Sequence, residues 1–241
     1  MSIAQEVYSR IDAIEAGKVI GYTYFNLPND KSEALAAALT RFTQKGIIKR
    51  LSKGLYYKPK ESEFGKLAPN EDQILKKYLY QGRKRIGYLT GTNIYNRWGL
   101  TTQIANTNFI ACAMPRRRVS IGRVKIDFVK AYTKISENDI EYLQFLDAVK
   151  DIKNIPDNDV NTVCRILLGK LRSMKKADRK RICELSFYYN PAAMALAGAM
   201  LESIEKGNLI KKLKGTLNGL SQYKIGISED LLPNKENWNI K

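Results

Sequence analysis

The sequence predicts an α+β protein: an N-terminal helix-and-hairpin domain, then a larger mixed domain that ends in helices. Three observations carry that prediction. A helical apolar stripe, Leu35, Leu39 and Phe42, runs directly into a glycine-jointed β-hairpin within 47–58. Short strand-like runs follow up to residue 129, and from Ser136 onward the apolar period is helical. The charge is one-sided, with 41 Lys and Arg against 24 Asp and Glu, a net +17 over 241 residues. Such an excess implies a polyanionic partner, either nucleic acid or an acidic membrane surface.

Taken in order, Ser2 to Ala16 reads as an amphipathic helix with Ile3, Val7, Ile11 and Ile14 on one side and Gly17 as its stop. Lys18 to Tyr24 reads as a short strand, Phe25 to Leu27 fits a very short helix, and Pro28-Asn29-Asp30 is a turn. The organising stretch is Lys31 to Pro59, KSEALAAALTRFTQKGIIKRLSKGLYYKP. Asn29, Asp30 or Ser32 can cap its helix, with Glu33 three residues after Asp30, and Gly46 ends it. Ala34, Ala37, Arg41 and Gln44 fall on a second face that is small and polar. The strands Ile47 to Leu51 and Leu55 to Lys58 are joined by Ser52-Lys53-Gly54, which supplies a glycine where φ must be positive. A helix with such a face enters the major groove, while a hairpin carrying Lys49, Arg50, Lys53 and Lys58 lies beside a phosphate backbone. Helix, strand, short helix, long helix and hairpin is the order of a winged helix-turn-helix, whose first strand joins the hairpin in a three-stranded sheet. The alternative is a plain helix and hairpin with a solvated basic edge.

Lys60 to Pro69 is polar and turn-rich, which places a DNA-binding domain at 1–62 and a second domain at 70–241. The second divides into a mixed strand and helix part at 70–132, a helical part at 133–206 and an extended tail at 207–241. Asn70 caps a helix from Glu71 to Tyr80, and Thr92 to Leu100 makes another that ends at Gly99. NFIACAM forms a strand within 104–114, and Val119 to Ile121 pairs with Val124 to Val129 across Gly122. Between Asp72 and Asp127 there is no acid, yet Lys76, Lys77, Arg83, Lys84, Arg85, Arg97, Arg116, Arg117, Arg118, Arg123 and Lys125 lie there. Enzyme surfaces mix both signs. This region therefore reads as a phosphate-contacting surface, for DNA or for RNA or a nucleotide, or else as an arginine-rich loop at a strand end.

Ser136 to Lys150 opens with a cap and three acids that suit a helix N-terminus. Asn158 to Met174, Ala177 to Tyr189 and Pro191 to Lys206 complete a helical block in which Ala192 to Ala199 is a tight core helix. The last stretch has anchors at Ile225, Ile227, Leu231, Leu232 and Trp238 but no clear period, so an extended tail is expected.

The chain has no histidine, which removes the commonest general base, most catalytic zinc sites and the histidine triads. Cys112, Cys164 and Cys183 are widely spaced, without a CxxC, and read as reduced core residues in a cytosol. The N-terminus is interrupted by Glu6, Arg10, Asp12 and Glu15, unlike a signal peptide, and the longest apolar run, Ala192 to Leu201, is about half a membrane span. A cytoplasmic protein with no membrane partner is expected. GxxxxGK[ST], GxGxxG and GxSxG are all missing, and the acid-free stretch offers no carboxylate cluster for a metal-dependent nuclease. No enzyme, catalytic residue, metal or cofactor is therefore expected, with a nuclease as the residual enzymatic alternative.

LTRFTQKGIIKRLSKGLYYKP resembles the winged-helix signature of AbiEi-type antitoxins, from the abortive-infection (type IV) toxin–antitoxin systems. YLTGTNIYNRWGLTTQ, followed by MPRRRVSIGRVKIDFV, is similar to that family's second-domain signature, and LDAVKDIKNIPD and YKIGISEDLLPNKENWNI resemble one branch of it. The likeness covers most of the chain. Many winged-helix proteins share the first motif; the two in this order are more specific. The resemblance implies a repressor of its own operon, bound at inverted repeats in double-stranded promoter DNA. It implies a second domain that counteracts a cognate nucleotidyltransferase-like toxin without a stable complex. Carried onto this chain, it implicates Lys31, Ser32, Ala37 and Arg41 in the helix and Lys49, Arg50 and Lys53 in the hairpin. In the second domain it implicates Arg116, Arg117, Arg118 and Arg123, to which the charge pattern adds Arg83, Lys84, Arg85 and Arg97. The face Ala34, Ala36 and Ala37 has little hydrogen-bonding power, so base readout would rest on thymine methyl contact and backbone positioning. A monomer or weak dimer is expected, with cooperative binding on DNA left open.

Overall fold

The computed structural model describes residues 2–61, 63, 67 and 69–241, and both helices and strands are present. The chain divides into one unit of residues up to 84 with 119–125, and a second of 85–118 with 126–241.

In the first unit, α1 (Ile3–Asp12) starts on a reciprocal cap. Ser2 Oγ accepts the Gln5 N–H at 3.3 Å, and Gln5 Oε1 accepts the Ser2 N–H at 2.9 Å. The helix stops at Asp12, not Ala16. Lys58 Nζ donates to the Asp12 carbonyl and the Gly17 N–H donates to the Lys58 carbonyl, each at 2.7 Å, so the chain is drawn off the helix toward the hairpin. Strand β1 is Val19–Gly21, shorter than expected. Tyr22–Phe25 and Asn29–Lys31 are 3-10 turns, so the short helix expected at 25–27 is displaced to both sides. Asn26 in the left-handed region and Pro28 at ψ 153° interrupt the backbone between them.

Helix α2 (Ser32–Gln44) continues from the second turn. Lys31 holds the cap position without a side-chain cap bond, and the Ser32 N–H goes to the Asn29 carbonyl. The incoming turn thus does what Asn29, Asp30 or Ser32 was expected to do. Strands β2 (Lys49–Ser52) and β3 (Leu55–Tyr57) follow, and the antiparallel sheet runs β1-β3-β2 with Ile20 opposite Tyr56 and Arg50 opposite Tyr56. A register shift between Arg50 and Ser52 twists the turn, where Gly54 has φ +75°, a value that strains any residue with a Cβ. Val7, Ile11, Phe25, Leu39 and Ile48 are fully buried in the core these elements share.

The expected boundary segment 60–69 includes residues 62, 64–66 and 68, which lie outside the described residues. Helix α3 (Glu71–Leu79) belongs to the first unit. Asn70 Oδ1 caps it by accepting the Gln73 N–H at 3.0 Å. Lys77 lies on β1, with Nζ 3.4 Å from Thr23 Oγ1 and 3.0 Å from where a Cβ on Gly21 would stand. Burial lowers its pKa. Strands β4 (Tyr80–Gln81) and β5 (Lys84–Arg85) flank Gly82, and the first unit's run ends at Lys84.

The second unit begins with β6 (Gly87–Thr90), α4 (Thr92–Arg97) and β7 (Asn108–Cys112). Strand β8 (Val119–Ile121) and the first two residues of β9 (Val124–Lys130) group with the first unit. β6 pairs antiparallel with β7, from Gly87↔Cys112 to Thr90↔Phe109. β7 pairs parallel with β9, from Asn108↔Ile126 to Cys112↔Lys130. The helices α5 (Ile140–Lys150), α6 (Val160–Ser173), α7 (Lys176–Ser186) and α8 (Pro191–Glu202) then form the block that their apolar period predicts. Asp159 caps α6, and Asn190 caps α8. Ser136 makes no side-chain cap; a 3-10 turn at Glu137–Asp139 leads into α5, and Asp139 is buried against Arg181, which donates from Nε and Nη2 at 2.8 Å each.

The C-terminal stretch is not simply extended. Helix α9 (Asn208–Gly215) buries Ile210 and Leu213, and Lys235–Trp238 makes a 3-10 turn. The expected anchors Ile225, Ile227, Leu232 and Trp238 are buried. Trp238 donates its indole N–H to Glu202 Oε2 at 2.8 Å and lies flush on α8, where a Cβ on Gly198 would stand 2.2 Å from the ring. Among the described residues, no helix is long and apolar enough to cross a membrane.

Because backbone and indole meet with no room for a methyl, Gly198→Ala is expected to lower stability by about 1–3 kcal/mol through overpacking. Thermal unfolding measures it; an unchanged midpoint would place Trp238 elsewhere.

Candidate nucleic-acid interface

Helix α2 presents two distinct faces. Leu35, Ala38, Leu39 and Phe42 are buried, whereas Lys31, Ser32, Ala34, Ala37, Arg41 and Gln44 are exposed. The four helix residues singled out from the sequence, Lys31, Ser32, Ala37 and Arg41, therefore share the solvent side. Glu33 is exposed on the same helix. The Thr40 hydroxyl folds back to the Ala36 carbonyl at 2.9 Å and Thr43 to Leu39 at 2.8 Å, leaving Arg41 and Gln44 as the long polar groups in that half of the helix.

The β2–β3 turn carries Lys49, Arg50 and Lys53, all exposed. Arg50 Nε reaches the Ser52 carbonyl at 3.4 Å, a weak tether that keeps its guanidinium near the turn. Lys58 has a different role: its bond to the Asp12 carbonyl and the Asp12 carboxylate 3.9 Å away tie it to α1.

The arginine-rich residues separate by unit and by engagement. Arg83, Lys84 and Arg123 belong to the first unit and are exposed; Arg97, Arg116 and Arg117 belong to the second and are exposed. Arg118 is clasped by Asp127, with Nε–Oδ1 at 2.6 Å and Nη2–Oδ2 at 2.5 Å, and that bond holds the Asp127 carboxyl below its ordinary range. Arg116 lies over the Phe128 ring at 5.2 Å. The side chain of Arg85 is largely buried, donating to the Gly87 carbonyl at 2.7 Å and to Glu137 at 3.2 Å. Arg85 and Arg118 are thus engaged by carboxylates, while Arg116, over the Phe128 ring, and Arg117 are exposed on a loop whose far end Arg118 fixes.

A cavity of about 310 Å³ lies beside the TGTNIY run, a site not anticipated from the sequence. Asp147 forms part of its wall and is almost fully buried. Its carboxylate accepts from Thr90 Oγ1 at 2.7 Å, Tyr88 Oη at 2.9 Å and Tyr189 Oη at 3.0 Å. Burial pushes this carboxyl above its ordinary range, while the Thr90 bond, the Lys150 charge and the two phenols pull it back. Tyr95 Oη donates to Asp151 at 2.8 Å, and Lys150 Nζ lies 3.1 Å from the same residue. Burial first, then the nearby carboxylates, raises the pKa of Tyr88, Tyr95 and Tyr189, so these phenols stay protonated as donors at neutral pH. One signal was available in the sequence: Asp147 stands four residues after Leu143, on the buried side of α5.

The model of DUF6088, a family of unknown function, matches residues 6–182, and the chain belongs to that family. The match runs from within α1 through β3, the arginine loop and Asp147. No curated protein matches the chain.

A carboxyl whose pKa is higher folded than unfolded favours proton uptake on folding, so its contribution to stability falls as pH rises from the ordinary 3.8 through the raised value. Asp147→Asn cannot titrate. Wild-type stability relative to this variant, measured by urea unfolding, is therefore expected to increase as pH falls from neutral toward 3.8. A difference that does not change with pH would mean Asp147 ionises alike in both states.

Proposed function

We propose that this DUF6088 protein is a DNA-binding repressor of its own operon and the antitoxin of a type IV toxin–antitoxin pair. In this reading α1, β1, α2, β2 and β3 form a winged helix-turn-helix. The observation that carries it is the pairing of an exposed, small-residue face on α2 with three exposed cations on the adjoining turn, Lys49, Arg50 and Lys53. The sheet order β1-β3-β2 supports the same reading, because it puts that turn on the hairpin that follows the helix.

The chemistry then divides between the two elements. Ala34 and Ala37 let the helix approach the groove floor and meet thymine methyl groups, while Arg41 offers hydrogen bonds to a base edge. Lys31 and Ser32 at the helix start, and the three cations of the turn, contact phosphates and fix register. In the second unit, Arg116 and Arg117 are assigned to the antitoxin activity against a nucleotidyltransferase-like toxin encoded alongside, an activity that needs no stable complex between the two proteins. The resemblance to AbiEi-type antitoxins supports that assignment.

Mobility shift on the DNA upstream of the gene tests the first part. Binding is expected to weaken steeply with salt, and Arg50→Ala with Lys53→Ala to lower the log–log salt slope by roughly one per side chain removed. An unchanged slope, or displacement by RNA as effective as by duplex DNA, would overturn it.

Co-expression with the nucleotidyltransferase-like gene that this reading expects alongside tests the second part. Wild type is expected to restore growth, and Arg116→Ala with Arg117→Ala to lose that rescue while still shifting promoter DNA. Full rescue by the double variant would move the activity to other residues.

A further inference from the structure

A second cavity, of about 410 Å³, lies where the start of α7, the end of α8 and the start of α9 meet. Its volume is in the range of small-ligand sites. Its inner wall is apolar, with Leu201, Leu209, Ile210 and Cys183. Burial pushes the Cys183 thiol up to about 11, so it adds no charge at neutral pH. Half of the remaining lining is cationic: Lys176, Lys180 and Lys206, all exposed, together with Arg179. Glu205 is the one carboxylate lining it, and Arg179 Nη2 holds it at 3.1 Å; Lys180 has Glu184 at 4.0 Å.

Arg179 is held in place by the fold. Its Nη1 donates to the Met174 carbonyl and its Nη2 to Glu205. Its Nε is buried and has no hydrogen-bond partner among the described residues. An Nε sealed from solvent is out of a ligand's reach, so Arg179 adds its charge to the site while the exposed lysines supply the donors. An apolar wall beside four cations and one internally paired carboxylate selects against cations and against simple polar solutes. It favours a molecule with one anionic head and a hydrocarbon body.

We infer that this cavity binds an amphipathic monoanion, a carboxylate on a single hydrocarbon chain. The head lies among Arg179, Lys176 and Lys206, and the chain lies against Leu201, Leu209 and Ile210. Residues 183–241 lie beyond the span that matches the family model, so much of this wall is outside that span.

Isothermal titration of the full-length chain with decanoate tests the inference, with decanol, decyltrimethylammonium and inorganic phosphate as comparisons. Decanoate is expected to bind, decanol to bind about tenfold or more weakly, and the other two not to bind. Lys176→Glu with Lys206→Glu reverses two exposed charges and is expected to weaken decanoate about tenfold or more, while thermal unfolding without ligand is unchanged. Four outcomes would each overturn it: no decanoate binding at millimolar concentration, phosphate binding as tightly as decanoate, the cationic amphiphile binding as tightly as decanoate, or a charge-reversed variant that binds decanoate unchanged. Co-sedimentation with phosphatidylglycerol vesicles that decanoate does not displace would assign these cations to a bilayer surface instead, and would overturn it as well.

Discussion

A net +17 on 241 residues sets the electrostatic constraint under which this chain folds. The placement of its carboxylates is what makes that charge tolerable. In the second unit Asp127 clasps Arg118, Asp139 clasps Arg181, and Glu205 holds Arg179. Two of these pairs use both sides of the guanidinium fork, a geometry that lysine cannot reproduce. Asp139 is the most deeply buried of the three, so removing Arg181 would leave an uncompensated charge in poorly solvated surroundings. Glu202 works differently: the Trp238 indole and the Asn234 amide bind it, and so it ties the end of the chain to α8. These four acids are each set against a particular donor, and the cations of the β2–β3 turn stand apart from these clasps.

The face division of α2 follows from an elementary constraint. Four apolar side chains at spacings of three, one and three residues bury one side, and no large apolar side chain stands on the other. Leu35, Leu39 and Phe42 were legible in the sequence because leucine and phenylalanine announce a stripe. Ala38 was not, because alanine is equally at home on either face. The hairpin was legible from Gly54, since a turn with φ +75° leaves few alternatives. The ends of the elements were less so. Asp12 ends α1 because Lys58, 46 positions later, takes its carbonyl, and no local pattern encodes a partner that distant.

The same reasoning separates the legible from the hidden in the second unit. The helices α5 to α8 follow their apolar period closely. Helix α9 went unread because it is short and lies between glycines and lysines, where tertiary burial of Ile210 and Leu213 decides the conformation and propensity does not. The Asp147 network went unread because its donors, Tyr88, Thr90 and Tyr189, lie 42 to 59 positions away along the chain. For Arg118 the residue type was visible and the role was not. An arginine in a run of three invites a phosphate reading, yet the Asp127 carboxylate nine positions on claims it.

That last case bears on how an acid-free stretch should be understood. From residue 73 to 126 the chain supplies cations without local counter-ions, and the fold then sorts them. Those near a carboxylate from outside the stretch, Arg118 with Asp127 and Arg85 with Glu137, become structural. Arg97, Arg116 and Arg117 stay exposed in the second unit, and Arg83, Lys84 and Arg123 in the first. Each unit therefore carries exposed cations of its own. Under the proposed function this matters physically, because phosphate neutralisation acts contact by contact through counterion release. A polyanion can then be gripped by either unit alone. In that proposal base discrimination is a different matter: it would come from α2, where the exposed alanines would allow close approach and Arg41 would supply the direct hydrogen bonds.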